Sequence, residues 1–266
     1  MDLNKPNLPD IQSTPDLRNI PINRVGVRGI TLPIAIHGQN GLEHTIASIT
    51  MTVSLPADQK GTHMSRFITV MEELEEPVCP EVMKTLMKQM LELLDARDGT
   101  IEVRFPFFIR KQAPVSKLES IMNYEGAWIA DCTDGRIVVT QETLAPVTSL
   151  CPCSKEISSH GAHNQRSHVV TAIIAESPVS LHEQVLISEQ AASCPLWSRL
   201  KRADEKYVTE YAYENPKFVE DLVRDIATAM NQDERISYYR ITAENFESIH
   251  NHSAYAVIEH KKTTNV

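Results

Sequence analysis

The sequence predicts an α+β protein in which antiparallel strands carry helices on one face of a sheet. Three observations predict it. Apolar and polar residues alternate in several runs, and apolar residues at helical spacing occupy the stretches between them. The same order then returns in altered form on the far side of a polar stretch, Cys151 to His168. The two halves share no sequence identity, so the repeat is one of architecture. A first module is expected over 26–145 and a second over 146–266.

Residues 1–25 hold four prolines and little periodicity, which predicts an extended, partly mobile arm. From His44 to Leu55, Ile49, Met51, Val53 and Leu55 alternate with Thr50, Thr52 and Ser54, a half-buried strand. A second strand is expected over Phe67 to Met71. Pro80 opens a helix whose Val82, Leu86, Met87, Met90, Leu91 and Leu94 fall on one face. The next strand alternates Ile101, Val103, Phe105, Phe107 and Ile109 with Glu102 and Arg104. Ala127 to Thr140 predicts a hairpin turning at Asp134-Gly135. Beyond the polar stretch, expected as a loop, come a strand at Val169–Ala175, helices near 182–194 and 216–231, and strands near 236–243 and 253–260. The helix at 216–231 has Asn215 as its expected N-cap and Pro216 in its first turn.

Composition narrows the class. The 266 residues are 42% hydrophobic and 23% charged, as in ordinary soluble globular proteins. A net charge of -9 argues against a general nucleic-acid binder, which needs a basic face, but leaves room for a small anionic substrate held by local cations. The apolar runs are too short to cross a bilayer, and the polar, proline-rich N-terminus lacks the apolar core of a secretory signal. Five cysteines, with Cys151 and Cys153 only two apart, fit reduced thiols in a cytoplasm better than a disulfide framework.

The chemistry is expected in CPCSKEISSHGAHNQRSH at 151–168, which is too polar for core and rich in soft metal ligands. Of Cys151 and Cys153, one could bind a metal while the other faces a substrate. Two inert loop thiols are the alternative, weakened by the neighbouring His160, His163 and His168. The spacing is not that of a closed zinc finger, and an open, catalytic site fits better. Glu247, His250 and His252 precede the last strand, the two histidines on one face of an extended segment, a pattern that suits acid–base work. The charged stretch 200–207 either coats a solvated helix face or supplies a carboxylate ligand and basic groups, and its spacing does not decide. Glu220 reads as a surface glutamate on pattern alone, and Cys79, Cys132 and Cys194 read as structural.

Together, GTHMSRF at 61–67, SLCPCSKEIS and GAHNQRS within 149–167, DEKYVTEYAYENPKFVED at 204–221 and ENFESIHNHSAYA at 244–256 resemble the prokaryotic GTP cyclohydrolase I family of type B. The resemblance implies a tunnelling fold (T-fold) present twice per chain, each module a four-stranded antiparallel sheet with two helices. It implies a homotetramer with active sites at subunit interfaces, and conversion of GTP and water to 7,8-dihydroneopterin triphosphate and formate at the head of folate and pterin synthesis. It assigns a divalent metal (zinc, manganese or iron) to Cys151, His163 and Glu205, and the guanine edge to Glu220. His250 becomes the principal proton shuttle, supported by Glu247 and His252, with Cys153 beside the reacting carbon. Arg66, Arg166, Arg202 and Lys206 are candidates for the triphosphate on charge and position alone. Two rival readings are a T-fold nitrile reductase acting on a deazaguanine and a non-enzymatic module pinned by structural zinc.

Overall fold

In the computed structural model, which describes residues 10–12, 14–72 and 74–262, the predicted alternation becomes one continuous sheet. The elements are β1 (Ile22–Gly38), β2 (Gly41–Leu55), α1 (Met64–Glu72), α2 (Pro80–Leu94), β3 (Gly99–Gln112), β4 (Glu119–Thr133) and β5 (Arg136–Leu150). They continue with α3 (Pro152–Ile157), β6 (Asn164–Ala175), α4 (Leu181–Ala191), α5 (Arg202–Glu214), α6 (Val219–Gln232), β7 (Ile236–Asn245) and β8 (Ala254–Lys261). Each strand pairs antiparallel with the next in sequence, so spatial order equals chain order from β1 to β8.

Period-2 patterning sets the faces. Ile49 lies opposite Val103 and Met51 opposite Ile101, and all four are buried on the face that receives the helices. The apolar core forms two main clusters. One joins β1–β5 with α1, α2 and the Leu181 and Val185 side chains of α4; the other joins β6–β8 with α6 and the last residue of α4. Ala145 belongs to the first and Val147 to the second, so β5 is shared. The opposite face of the sheet mixes polar and apolar side chains. There Arg104 bridges Glu102 and Glu142 beside a cavity of about 560 Å³ bordered by Ile46, Ser48, Pro106 and Glu125.

Several local expectations give way. Phe67–Met71 is helix, not strand: Phe67, Val70 and Met71 are the buried residues of α1, at the i, i+3, i+4 spacing of a helical face. The stretch 151–168 is not all loop. Pro152 starts α3, where a first helical position loses nothing by lacking an N–H, and β6 already begins at Asn164. Asn215 caps the C-terminus of α5 instead of starting the next helix. In α6 the first-turn Asp221 carboxylate accepts the Phe218 N–H. The hairpin turn is as expected, with positive φ at Asp134 and Gly135 and Thr133 paired to Arg136. Part of the expected N-terminal arm, residues 1–9, lies outside the described residues. Further on, Asp16 and Lys60 hydrogen-bond across to Asp58 and Thr14, so this part of the arm runs along 58–61 before β1 begins at Ile22.

Helix α6 offers a clean test of this burial. Leu222 is fully buried on it while Glu220 is exposed. Leu222→Ala should cost about 2–5 kcal/mol and Glu220→Ala less than about 0.5 kcal/mol, measured by urea unfolding at one fixed protein concentration.

Candidate active site

The end of β5 is clamped before it reaches Cys151. The Leu150 N–H donates to Ser193 Oγ (3.1 Å), and the Leu150 carbonyl accepts from Lys217 N (3.0 Å). Thr148 and Cys194 exchange two backbone bonds, and Asn215 Nδ2 holds the carbonyls of Ala192 and Ser193. Leu150, Cys194 and Ala212 pack together in a small apolar cluster, with Ala162 and Val208 against it. Burial pushes the Cys194 thiol up to about 11, as suits an inert packing thiol.

From that anchor the chain folds tightly. Cys151 is the N-cap of α3, its Sγ accepting from Ser154 N (3.4 Å). Gly161, at φ 105°, takes a left-handed conformation that lets the chain double back. Cys151 N then donates to the His163 carbonyl (3.1 Å), and Ser154 Oγ accepts from His163 N (3.2 Å). Cys151 and His163 are thus held side by side by backbone bonds, while Cys153 is exposed on α3.

The His163 ring is oriented from behind. Its Nδ1 lies 3.0 Å from Gln165 Oε1 and 3.8 Å from Glu247 Oε2, and Gln165 Nε2 donates to Glu247 Oε1 at 3.5 Å. A carbonyl oxygen facing Nδ1 requires Nδ1–H, which leaves the Nε2 lone pair free for a metal. The side chains of His163 and Glu247 are only 12% and 14% exposed, so this arrangement is fixed. A buried polar row secures it: Ser149 Oγ and Ser167 Oγ lie 2.7 Å apart, with Asn245 Oδ1 3.5 Å from Ser149. Phe246 N donates to Arg166 O, so β7 delivers Glu247 directly beside β6. Gln165 escaped the sequence reading, although a residue two beyond His163 on a strand points to the same side.

The other expected residues are exposed. His250 and His252 stack at 5.1 Å, but in an exposed turn instead of an extended segment. Glu205 is exposed in the first turn of α5, on the helix face that also carries Val208 and Ala212. Glu220 is exposed in the first turn of α6. Arg166 and Arg202 are exposed, and Lys206 makes an i,i+4 pair with Glu210 at 3.7 Å. Arg66 donates to the Leu93 carbonyl (2.9 Å), closing the C-terminal turn of α2. Among the described residues no three His, Cys, Asp or Glu side chains are gathered closely enough to hold a metal. The donor chemistry nevertheless fits a borderline divalent ion, because Cys151 and the oriented His163 are already together.

The model of the family described as type I GTP cyclohydrolase folE2 matches residues 8–256. The chain belongs to that family. Relatives called GTP cyclohydrolase FolE2 include one from Herminiimonas arsenicoxydans, 54% identical over 255 residues, covering 96% of this chain and 98% of that protein. Another, from Ralstonia nicotianae, is 54% identical over 257 residues, covering 96% and 95%. Urate oxidase from Bacillus subtilis superposes with a TM-score of 0.53 at 8% identity over 90% of this chain and 98% of that one. Uricase from Arthrobacter globiformis gives 0.51 at 9% identity, over 92% and 95%. These superpositions share the fold alone. The α+β tunnelling fold is therefore the fold of this type I GTP cyclohydrolase family member.

The segment that buttresses the family member's Leu150 is itself held by a buried ion pair. Lys111 Nζ lies 2.6 Å from Glu189 Oε1 and donates to Leu196 O (2.7 Å), while Tyr124 OH donates to Glu189 (2.5 Å). Burial lowers the Lys111 ammonium's pKa, with Glu189 opposing the shift. Lys111→Ala leaves the buried Glu189 carboxylate without its counter-ion, with the Tyr124 hydroxyl still donating, and should cost about 3–5 kcal/mol, whereas Lys111→Met with Glu189→Gln should cost much less. Chemical unfolding of both variants at one protein concentration checks the difference.

Proposed function

We propose that this protein is a metal-dependent GTP cyclohydrolase I, converting GTP and water to 7,8-dihydroneopterin triphosphate and formate, the opening step of folate and pterin synthesis. The observation that carries the reading is the near-full-length match, at 54% identity, to proteins called GTP cyclohydrolase FolE2. The oriented His163 beside Cys151 supports it.

Cys151, His163 and Glu205 would hold one divalent ion: zinc, manganese or iron. Such an ion supplies Lewis acidity, which makes water a nucleophile near neutral pH. His250 moves protons at the guanine C8 and imidazole nitrogens as that ring opens, with His252 stacked against it and Glu247 supporting. Exposed Cys153 sits beside the reacting carbon. Glu220 accepts from guanine N1–H and the exocyclic amine, a pairing only a carboxylate can satisfy twice. Arg166, Arg202 and Lys206 supply cations for the triphosphate, while Arg66 is engaged at the end of α2. We also propose a homotetramer in which neighbouring subunits complete each site. The placement of β1 and β8 at the two ends of the sheet, where further strands could pair, supports that assembly. Five free thiols support a cytoplasmic location. No helix among the described residues is long and apolar enough to cross a membrane.

Metal-free protein incubated with GTP and a series of divalent metals should yield fluorescent pterin after oxidation; silence with every metal would overturn the reading. The assigned roles separate further. Glu220→Ala should weaken GTP binding by about 1.5–3 kcal/mol, roughly 10- to 150-fold. His250→Ala should spare binding and slow single-turnover chemistry roughly 100- to 10,000-fold. Loss of binding in His250→Ala with normal turnover of bound GTP would reverse the two roles.

A further inference from the structure

We propose that Asp204 is a positioning residue for the metal site: by locking the first turn of α5 to the β3–β4 turn, it fixes where Glu205 presents its carboxylate. This rests on Glu205 being a ligand, as proposed above. Asp204 is fully buried, although its neighbours Arg202, Glu205 and Lys206 are exposed. Its Oδ1 accepts from Val115 N (2.9 Å) and Ser116 N (2.8 Å), and its Oδ2 accepts from Ser116 Oγ (2.6 Å) and Lys201 N (2.9 Å).

Ordinary helix capping explains one of these four bonds, since a third-position carboxylate commonly reaches back to the N-cap N–H. The other three cross to a turn almost ninety residues earlier in the chain, and capping needs none of them. The C-terminal half of α5 has separate support, through Ala212 in the Leu150 cluster and Lys155 Nζ donating to the Tyr213 carbonyl (2.5 Å). The first turn, which carries Glu205, is where Asp204 acts. A ligand on a turn free to fray would spend much of its time away from the Cys151–His163 pair.

The site also demands an acid. Each carboxylate oxygen faces at least one backbone N–H, so an asparagine would aim its NH2 group at a donor in either orientation. Asp204→Asn therefore breaks the lock with almost no change in shape.

The test is zinc alone, titrated into metal-free protein against a chromophoric chelator, with circular dichroism reporting the fold. Asp204→Asn should weaken zinc binding about 10- to 100-fold, the usual range for residues that orient a ligand, and Ser116→Ala should shift it the same way by less. If Asp204 acts through Glu205, the double variant Asp204→Asn/Glu205→Ala binds zinc no more weakly than Glu205→Ala alone. Should Asp204→Asn fail to fold, Ser116→Ala and its double with Glu205→Ala carry the same comparison. Unchanged zinc affinity in the folded variants while Glu205→Ala loses it, or losses that simply add, would overturn the positioning role. Unchanged affinity in Glu205→Ala would instead overturn the ligand assignment beneath it.

Discussion

At the end of β5 the Leu150 backbone is engaged on both sides, by Ser193 and by Lys217, and the rest of the site depends on that clamp. Side chains on a strand alternate, so a slip of one residue would turn Cys151 to the other face and leave Leu150 in water. The clamp is assembled from three separate parts of the chain: the exit of α4, the link from α5 to α6, and the strand itself. Cys151 needs no hold of its own, because its place is fixed one residue earlier. His163 inherits the same precision through its backbone bonds to Cys151 and Ser154.

Much of this was legible in sequence. The strands at β2, β3 and β8, the helix from Pro80 and the Asp134-Gly135 turn follow from periodicity and turn chemistry that act locally. The failures share a cause. In α1 five residues fit both periods, and the packing of Phe67, Val70 and Met71 under the sheet decided between them. β1 went unseen because Gly26, Gly29 and Pro33 interrupt its alternation, and its register shifts between Arg28 and Ile30. Within the site, the ligand-type residues announced themselves by chemistry. Gln165, Asp204 and the Lys111–Glu189 pair did not, because what distinguishes them is a partner distant in sequence.

Buried polarity is concentrated where segments distant in sequence meet. Glu189 joins α4 to β3 and β4, Asp204 joins α5 to the β3–β4 turn, and Ser149, Ser167 and Asn245 join three strands. Apolar contact would stabilise those junctions equally well but would tolerate many relative placements. Directional bonds to a buried carboxylate tolerate few, since each unmet donor carries its full desolvation penalty.

The meander of the sheet also bears on the order in which the molecule is made. Because every strand pairs with its predecessor, the sheet can lengthen as the chain leaves the ribosome, without waiting for a distant partner. The first apolar cluster is the exception. It needs Leu181 and Val185, which emerge some thirty residues after β5 is complete. Until α4 arrives, the nascent first half presents an uncovered apolar strip beside Trp128 and Val139, the kind of surface that makes unfinished folds prone to aggregate. The helix that completes the first core also leads directly into the segment that clamps Leu150, so the site cannot be organised before the first half is closed.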